Sequence, residues 1–111
     1  MDIDFRKRKL EKLFNAEAEL IRQYGEKTAE KIMSRMAVLH HAPSLGDVPI
    51  KKPERCHPLK GKRKGEYAVD LDHPRRLVFE PNVDPVPETE NGEVDLKAIT
   101  AITIISVEDY H

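Results

Sequence analysis

The most apolar run of the chain, residues 99–107, constrains its fold more than any other segment. A strand directs alternate side chains to opposite faces, and this run is apolar on both of them. Such a strand is expected inside a sheet, with helices covering one side. A chain of 111 residues has to supply the neighbouring strands and the covering helices from one domain, residues 1–111.

Apolar residues follow helical spacing in the N-terminal part of the chain. One stripe spans residues 10–24 at steps of three and four and ends at Gly25, a residue suited to a helix C-terminus. A second stripe spans residues 29–39 and stops before Pro43. We predict two helices that form an antiparallel hairpin, each contributing one face to a shared core.

Strand periodicity replaces helical periodicity after residue 66. Apolar and polar residues alternate over residues 67–72, a turn follows at residues 72–75, and residues 76–79 return as a second strand. Strands joined so closely are antiparallel. The predicted fold class is therefore α+β, an N-terminal helix hairpin packed on a small antiparallel β-sheet.

The net charge of the chain is −1, but the chain contains one basic segment and one acidic segment. Residues 51–65 carry many lysines and arginines against the single acid Glu54, whereas residues 80–95 carry acids and no cation. This separation favours one side that faces a polyanion, although two solvated loops would give the same pattern. The prolines of the acidic segment exclude a continuous strand there. A lid and a contact with a partner protein stay open as roles for it, and we favour a solvated insert.

The cysteine count and the N-terminus indicate a compartment. The single Cys56 excludes an internal disulfide framework and suits a reducing cytosol. No apolar signal region opens the chain, and no stretch approaches the length that spans a bilayer. We expect a cytoplasmic protein without a membrane partner.

Two groups of residues have the chemistry to act on RNA. Cleavage of RNA without a metal or cofactor needs a base, an acid and cations that stabilise the charge on phosphorus. If the last strand lies beside the Arg76 strand, five catalytic candidates converge: His57, Lys60, Arg76, Tyr110 and His111. Asp109 is a sixth catalytic candidate, next to Tyr110 in the sequence. The further candidates for RNA-phosphate contact are Lys62, Arg63, Lys64 and Arg75.

Together, these features resemble a known family. The helix hairpin, the segment CHPLKG at residues 56–61, the Arg76 strand and the terminal Asp109-Tyr110-His111 are similar to the HigB branch of the RelE/ParE toxin superfamily. These proteins are the toxins of type II toxin–antitoxin modules. The resemblance implies a RelE-like fold of the microbial RNase type and ribosome-dependent cleavage of mRNA. It also implies a HigA-like helix-turn-helix antitoxin, through which alone the chain would meet operator DNA.

The resemblance also assigns roles to individual residues. His57 and Lys60 match functional positions of the first motif, and Arg76 matches the arginine that holds the scissile phosphate. His111 or His57 would be the acid or base, Tyr110 a stacking or hydroxyl contact, and Asp109 a residue that orients a neighbour.

One departure and two alternatives stay open. Some relatives carry a second strand arginine where this chain has Asp72, an acid that would repel phosphate if it faced RNA. Arg63 or Arg75 could replace that charge. The alternatives are a gyrase-poisoning toxin of the same fold and a catalytically inactive antitoxin-binding or RNA-binding protein.

Overall fold

The computed structural model describes residues 1–110, which form three helices and five strands. The strands are β1 (Asp2–Phe5), β2 (His57–Pro58), β3 (Tyr67–Asp70), β4 (Arg75–Pro81) and β5 (Ala101–Asp109). The helices are α1 (Arg8–Phe14), α2 (Glu17–Tyr24) and α3 (Glu26–His41), and short 3-10 turns occur at Leu45–Asp47, Gly61–Arg63 and Leu96–Ala98. None of the helices within residues 1–110 combines the length and the apolar character needed to cross a membrane.

The five strands form one sheet in the order β1-β5-β4-β3-β2. As predicted, β5 lies inside the sheet, between β1 and β4. The prediction of an antiparallel sheet is wrong at one edge, because β1 runs parallel to β5, with Asp2 opposite Ala101 and Phe5 opposite Ile104. The sheet is therefore mixed. The alternation of acidic and apolar residues over residues 2–5 is a strand signal that the helical periodicity beside it conceals.

The helical region differs from the predicted two-helix hairpin, which is not confirmed. The first predicted helix is divided into α1 and α2, because Asn15 ends α1 with φ −90° and ψ 0°. Asparagine is a weak helix former, since its side chain competes for backbone hydrogen bonds. Gly25, with φ +88°, then separates α2 from α3 at the predicted position.

The helices cover one face of the sheet, which we call the helix face. Leu20, Ile32 and Leu39 from the helices pack with Phe79 and Ile104 from the sheet, and all five are fully or almost fully buried. Burying a side chain of this size stabilises a fold by about 1.5–3 kcal/mol.

The opposite side of the sheet, which we call the open face, has a small apolar cluster within residues 1–110, formed by Leu59, Ala68 and Val78 with Ile105 packed against it. Its remaining positions are free to carry polar chemistry.

Candidate functional site

The register of the sheet shows on which face each predicted strand residue of the site lies. Residues directly opposite each other in an antiparallel pair share a face. Asp70 lies opposite Arg76 on β4, and Arg76 lies opposite Glu108 on β5, so these three occupy one row of the open face. Tyr110 adjoins this row, since its ring centroid lies 5.2 Å from the Arg76 guanidinium carbon. The structure thus brings together Arg76 and Tyr110, two of the predicted catalytic residues.

Arg76 is the cation of this row, and its guanidinium is incompletely hydrogen-bonded within residues 1–110. Its side chain is 17% exposed, and its nearest carboxylate oxygen, on Glu108, lies 3.7 Å from Nη2, beyond hydrogen-bond range. Its Nε is buried and has no hydrogen-bond partner within residues 1–110. A buried donor left unpaired costs about 1–3 kcal/mol. An anionic ligand that reached this guanidinium would recover part of that cost.

Glu108 anchors Arg63 beside Arg76. The terminal nitrogens of Arg63 donate to the two Glu108 oxygens at 2.5 and 2.7 Å, and its Nε donates to Glu66 at 2.9 Å. Ser106 donates a further hydrogen bond to Glu108 at 2.5 Å. The bonds from Arg63 outweigh the cost of burial and hold the pKa of Glu108 at about 2. Glu108 is therefore an acceptor at neutral pH, and Arg63 is already paired with two carboxylates.

A second ion pair fixes the Tyr110 ring. Arg55 donates to the two oxygens of Asp70 at 2.6 and 2.9 Å, and the Tyr110 hydroxyl donates to Asp70 at 3.1 Å. Burial opposes ionisation of Asp70, but the hydrogen bonds from Arg55 and Tyr110 prevail and lower its pKa. Arg55 has φ +45°, a conformation that is uncommon for a residue other than glycine. This bidentate pair holds Arg55 in place and orients Tyr110 beneath Arg76.

His57 lies on β2 opposite Ala68, on the open face. Its Nδ1 lies 2.6 Å from the Arg55 carbonyl oxygen. A carbonyl only accepts hydrogen bonds, so Nδ1 carries the proton. In the neutral ring Nε2 then holds a lone pair, which is the arrangement a general base requires.

The predicted basic loop forms an exposed fringe beside this row. Lys60 precedes the 3-10 turn Gly61–Arg63, Lys62 lies within it and Lys64 follows it, and all three are exposed. None of them pairs with a carboxylate among the described residues. Their charge is available to a polyanion, unlike that of Arg63.

Arg75 and Asp109 are not part of this arrangement. They lie opposite each other on β4 and β5, one position away from the Arg76 row, and so on the helix face. Arg75 donates to Thr28 of α3 at 2.6 Å, and its Nε lies 3.6 Å from Asp109. Asp72 accepts a hydrogen bond from Thr28 of α3 at 2.9 Å, so its carboxylate contacts the helices. His111 lies outside the described residues.

Three residues in or beside the open-face row were not predicted from the sequence: Arg55, Asp70 and Glu108. Strand alternation could have identified Asp70 and Glu108, because each shares its face with Arg76 once the register is known. No comparable signal exists for Arg55, whose position depends on the path of an irregular segment.

Two further observations concern thiol chemistry and metal binding. Burial raises the pKa of the Cys56 thiol to about 11, so the thiol stays protonated at neutral pH and is a poor nucleophile. Within residues 1–110, no three His, Cys, Asp or Glu side chains lie together as metal ligands would.

The fold is similar to that of solved bacterial toxins. A structure described as a YoeB/ParE toxin from Agrobacterium tumefaciens aligns with all of both chains at 14% identity and a TM-score of 0.57. A YoeB–YefM complex and a YoeB dimer, both from Staphylococcus aureus, align with all of this chain and 97% of theirs. Their identities are 18% and 19%, and their TM-scores are 0.54 and 0.53.

This likeness shows that the chain shares the fold of the matched YoeB and YoeB/ParE toxins, and it extends no further than the fold. The matched structures bear the names YoeB and ParE, and the assignment to the HigB branch stays a prediction. No protein-family profile matches the chain, and no curated protein sequence matches it.

Proposed function

We propose that this chain is the toxin of a type II toxin–antitoxin module and that it inhibits translation by cleaving mRNA on the ribosome. One observation carries the proposal: Arg76, with its buried unpaired Nε, lies against the Tyr110 ring on the open face. This pair offers a cation for a scissile phosphate and an aromatic surface beside it. The shared fold with proteins described as YoeB toxins supports the toxin role.

The proposed reaction is attack of the RNA 2′-hydroxyl on the adjacent phosphorus. His57 Nε2 accepts the 2′-hydroxyl proton, the bond from the 2′-oxygen to phosphorus forms, and the bond to the 5′-oxygen breaks. Arg76 and Lys60 stabilise the additional negative charge on phosphorus. His111 gives a proton to the leaving 5′-oxygen, the role that the family resemblance suggests for it.

The three exposed lysines of the basic loop, Lys60, Lys62 and Lys64, supply the long-range attraction to RNA. Arg55 and Arg63 are matched by Asp70, Glu66 and Glu108, so these groups together add no net positive charge. Attraction of the phosphate backbone then falls to Lys60, Lys62 and Lys64, and it should weaken as salt concentration rises. Arg63 takes the role of an anchor for Glu108, and Arg75 and Asp109 stabilise the end of the sheet on the helix face.

The proposed partners are the ribosome, its mRNA and a cognate antitoxin. The matched YoeB–YefM complex supports an antitoxin partner. We propose a HigA-like helix-turn-helix protein for it, since the segment at residues 56–61 and the terminal Asp109-Tyr110-His111 resemble HigB. Action on translating ribosomes requires a cytoplasmic location.

Expression of the chain and two matched variants in bacteria tests this function. Arg76→Ala removes the open-face guanidinium, whereas Arg75→Ala removes the neighbouring guanidinium on the helix face. Wild type and Arg75→Ala are expected to arrest growth and to produce new mRNA 5′ ends within translated regions, mapped by primer extension. Arg76→Ala should permit growth and leave transcripts intact.

Growth arrest with intact transcripts would contradict the proposal. If gyrase-dependent DNA breaks accompanied that arrest, the gyrase-poison alternative would replace it. If wild type neither arrested growth nor cleaved mRNA while it was folded and abundant, the chain would be an inactive member of the fold.

A further inference from the structure

A positive charge is buried on α3 without a carboxylate partner. Arg35 is 4% exposed, and within residues 1–110 it forms no ion pair. Burial of an unpaired charge costs free energy, and an apolar side chain could fill the same place in the core without that cost. The presence of an arginine at this position is therefore not explained by packing.

The guanidinium of Arg35 binds backbone carbonyl groups. Its Nε donates to the Asp70 carbonyl at 2.7 Å, and its Nη2 donates to the Pro53 carbonyl at 3.4 Å. The third nitrogen, Nη1, lies 3.5 Å from the hydroxyl oxygen of the neighbouring Ser34. The rigid, planar fork of the arginine thus joins the end of β3 to the irregular segment that precedes β2.

Among the described residues, the end of β3 has a strand on one side alone. β2 pairs only with the first two residues of β3. The Leu71 N–H donates to the Arg75 carbonyl on β4, so the backbone groups of Asp70 point away from β4. The Asp70 N–H donates to the Glu54 carbonyl at 2.9 Å, and the Asp70 carbonyl accepts from Arg35. Glu54 and Arg35 therefore take the place of a neighbouring strand beside Asp70.

These contacts surround a residue with an uncommon backbone conformation. Arg55 lies two positions after Pro53 and has φ +45°. In a residue other than glycine, such a conformation persists only where neighbouring contacts hold it. The Arg55 side chain is paired with the Asp70 carboxylate, and Arg35 binds the carbonyls of Asp70 and Pro53. Arg55 is thus held between two points that Arg35 fixes.

The conformation of Arg55 determines the state of His57. The Arg55 carbonyl oxygen lies 2.6 Å from His57 Nδ1 and accepts its hydrogen bond. This bond keeps the proton on Nδ1 and leaves a lone pair on Nε2. If the carbonyl moved, the neutral ring could carry its proton on Nε2 instead, and the ring would lose its fixed orientation.

We propose that Arg35 is a positioning residue, which acts through Arg55 to fix the tautomer and the orientation of His57. The guanidinium is buried and bound to the backbone, so it does not itself touch RNA. The kinetic part of this inference rests on the proposed function, in which His57 Nε2 accepts the 2′-hydroxyl proton. The effect on the imidazole does not rest on it and is measured in the free protein.

NMR spectra of two Arg35 variants test the effect on the imidazole. Arg35→Met removes every donor from an unbranched side chain, and Arg35→Lys keeps the charge but cannot bridge two carbonyls. Two-bond proton–nitrogen correlation spectra at about pH 8, where histidine is ordinarily neutral, show which ring nitrogen carries the proton. Wild-type His57 should carry it on Nδ1, whereas both variants should show a mixture of tautomers. His57→Asn identifies the His57 signals by their loss.

Single-turnover cleavage of mRNA on ribosomes measures the consequence for the reaction. Both Arg35 variants should lower the maximal rate by about 10- to 100-fold, the effect of misplacing a reacting group by about 1 Å. The ribosome concentration that gives half the maximal rate should not change, since Arg35 does not touch RNA. In a His57→Asn background, the same Arg35 substitutions should lower the rate no further.

Ile32→Val is the matched control. Ile32 is 1% exposed and lies one turn away on α3, so its truncation loosens the packing of the same helix. It should leave the His57 tautomer and the cleavage rate unchanged. If Arg35→Met does not fold, Arg35→Lys decides the question alone.

Three outcomes would overturn the inference: a single Nδ1–H tautomer in the folded Arg35 variants, equal rate losses with and without His57, and the same tautomer mixture in Ile32→Val. Failure of the proposed function looks different. If the wild type leaves mRNA intact while the Arg35 variants still mix the tautomers, the reaction is wrong and the placement of His57 by Arg35 stands.

Discussion

Replacement of Glu108 by glutamine is expected to destabilise the fold and to strengthen RNA binding at the same time. Glu108 accepts both terminal nitrogens of Arg63 and lies 3.7 Å from Arg76. Glutamine keeps the size of the side chain and removes its charge. Arg63 then loses one of its two charged partners and keeps Glu66, and Arg76 loses the carboxylate that competes with a phosphate.

The size of the stability change follows from the pKa of Glu108. A fall from 4.5 to about 2 corresponds to at most about 3 kcal/mol. The Glu108 side chain is 24% exposed and that of Arg63 is 35% exposed, so solvent screening reduces this to about 1–2 kcal/mol. Because the pKa is lowered in the folded state, this stability is present above pH 4.5 and is lost as the pH falls towards 2.

Urea denaturation at several pH values measures the effect. The wild type should exceed Glu108→Gln in free energy of unfolding by about 1–2 kcal/mol at pH 7, and the difference should shrink below pH 4.5. Glu66→Gln is the matched control, since Glu66 contacts Arg63 but is not paired with Arg76. Binding of an uncleavable 2′-methoxy RNA should be a few-fold tighter for Glu108→Gln and unchanged for Glu66→Gln.

Two results would refute this reasoning. A difference between wild type and Glu108→Gln that stayed constant from pH 7 to pH 2.5 would show that the ion pair contributes no stability. Weaker RNA binding by Glu108→Gln would show that Glu108 positions Arg76 for RNA and does not compete with it.

Three further predictions concern the neighbours of this row. Tyr110→Phe removes the hydrogen bond to Asp70 but keeps the ring against Arg76, so thermal melts should show a loss of about 1 kcal/mol while cleavage persists. His57→Asn should lower the cleavage rate by about 10²–10⁴-fold in single-turnover assays without changing the melting temperature by more than a few degrees, and normal activity would remove His57 from the mechanism. Cys56 should react with iodoacetamide at pH 7 only after denaturation, and rapid labelling of the native protein, followed by mass spectrometry, would contradict the burial of its thiol.

The central strand could be predicted from its sequence because an apolar run with two buried faces has few other solutions. That β5 lies beside the Arg76 strand was an assumption of the sequence analysis, and the pairing of Arg76 with Glu108 agrees with it. Strand β1 was missed, since four residues of alternation are a weak signal next to a long helical pattern. The break at Asn15 was missed because the apolar stripe continues through it.

The residue types of the site could be predicted from the sequence, but the ion pairs between its side chains could not. Asp109 and Tyr110 are adjacent in sequence, and a strand necessarily sends adjacent side chains to opposite faces. The pairing of Arg63 with Glu108 joins residues 45 positions apart, and no local pattern specifies which carboxylate a loop arginine will meet. Charge counts predict a basic surface, but only the tertiary structure separates paired arginines from free lysines.

Cleavage of a defined mRNA by purified protein, with and without purified ribosomes, tests the central claim most directly. Wild type and Arg75→Ala should cut the mRNA only when it is bound to translating ribosomes, and the fragments should carry 2′,3′-cyclic phosphate ends. Arg76→Ala should leave the mRNA intact at the same concentration. Equal cleavage by Arg76→Ala, or equal loss of cleavage in Arg75→Ala when that variant is folded, would contradict a site on the open face.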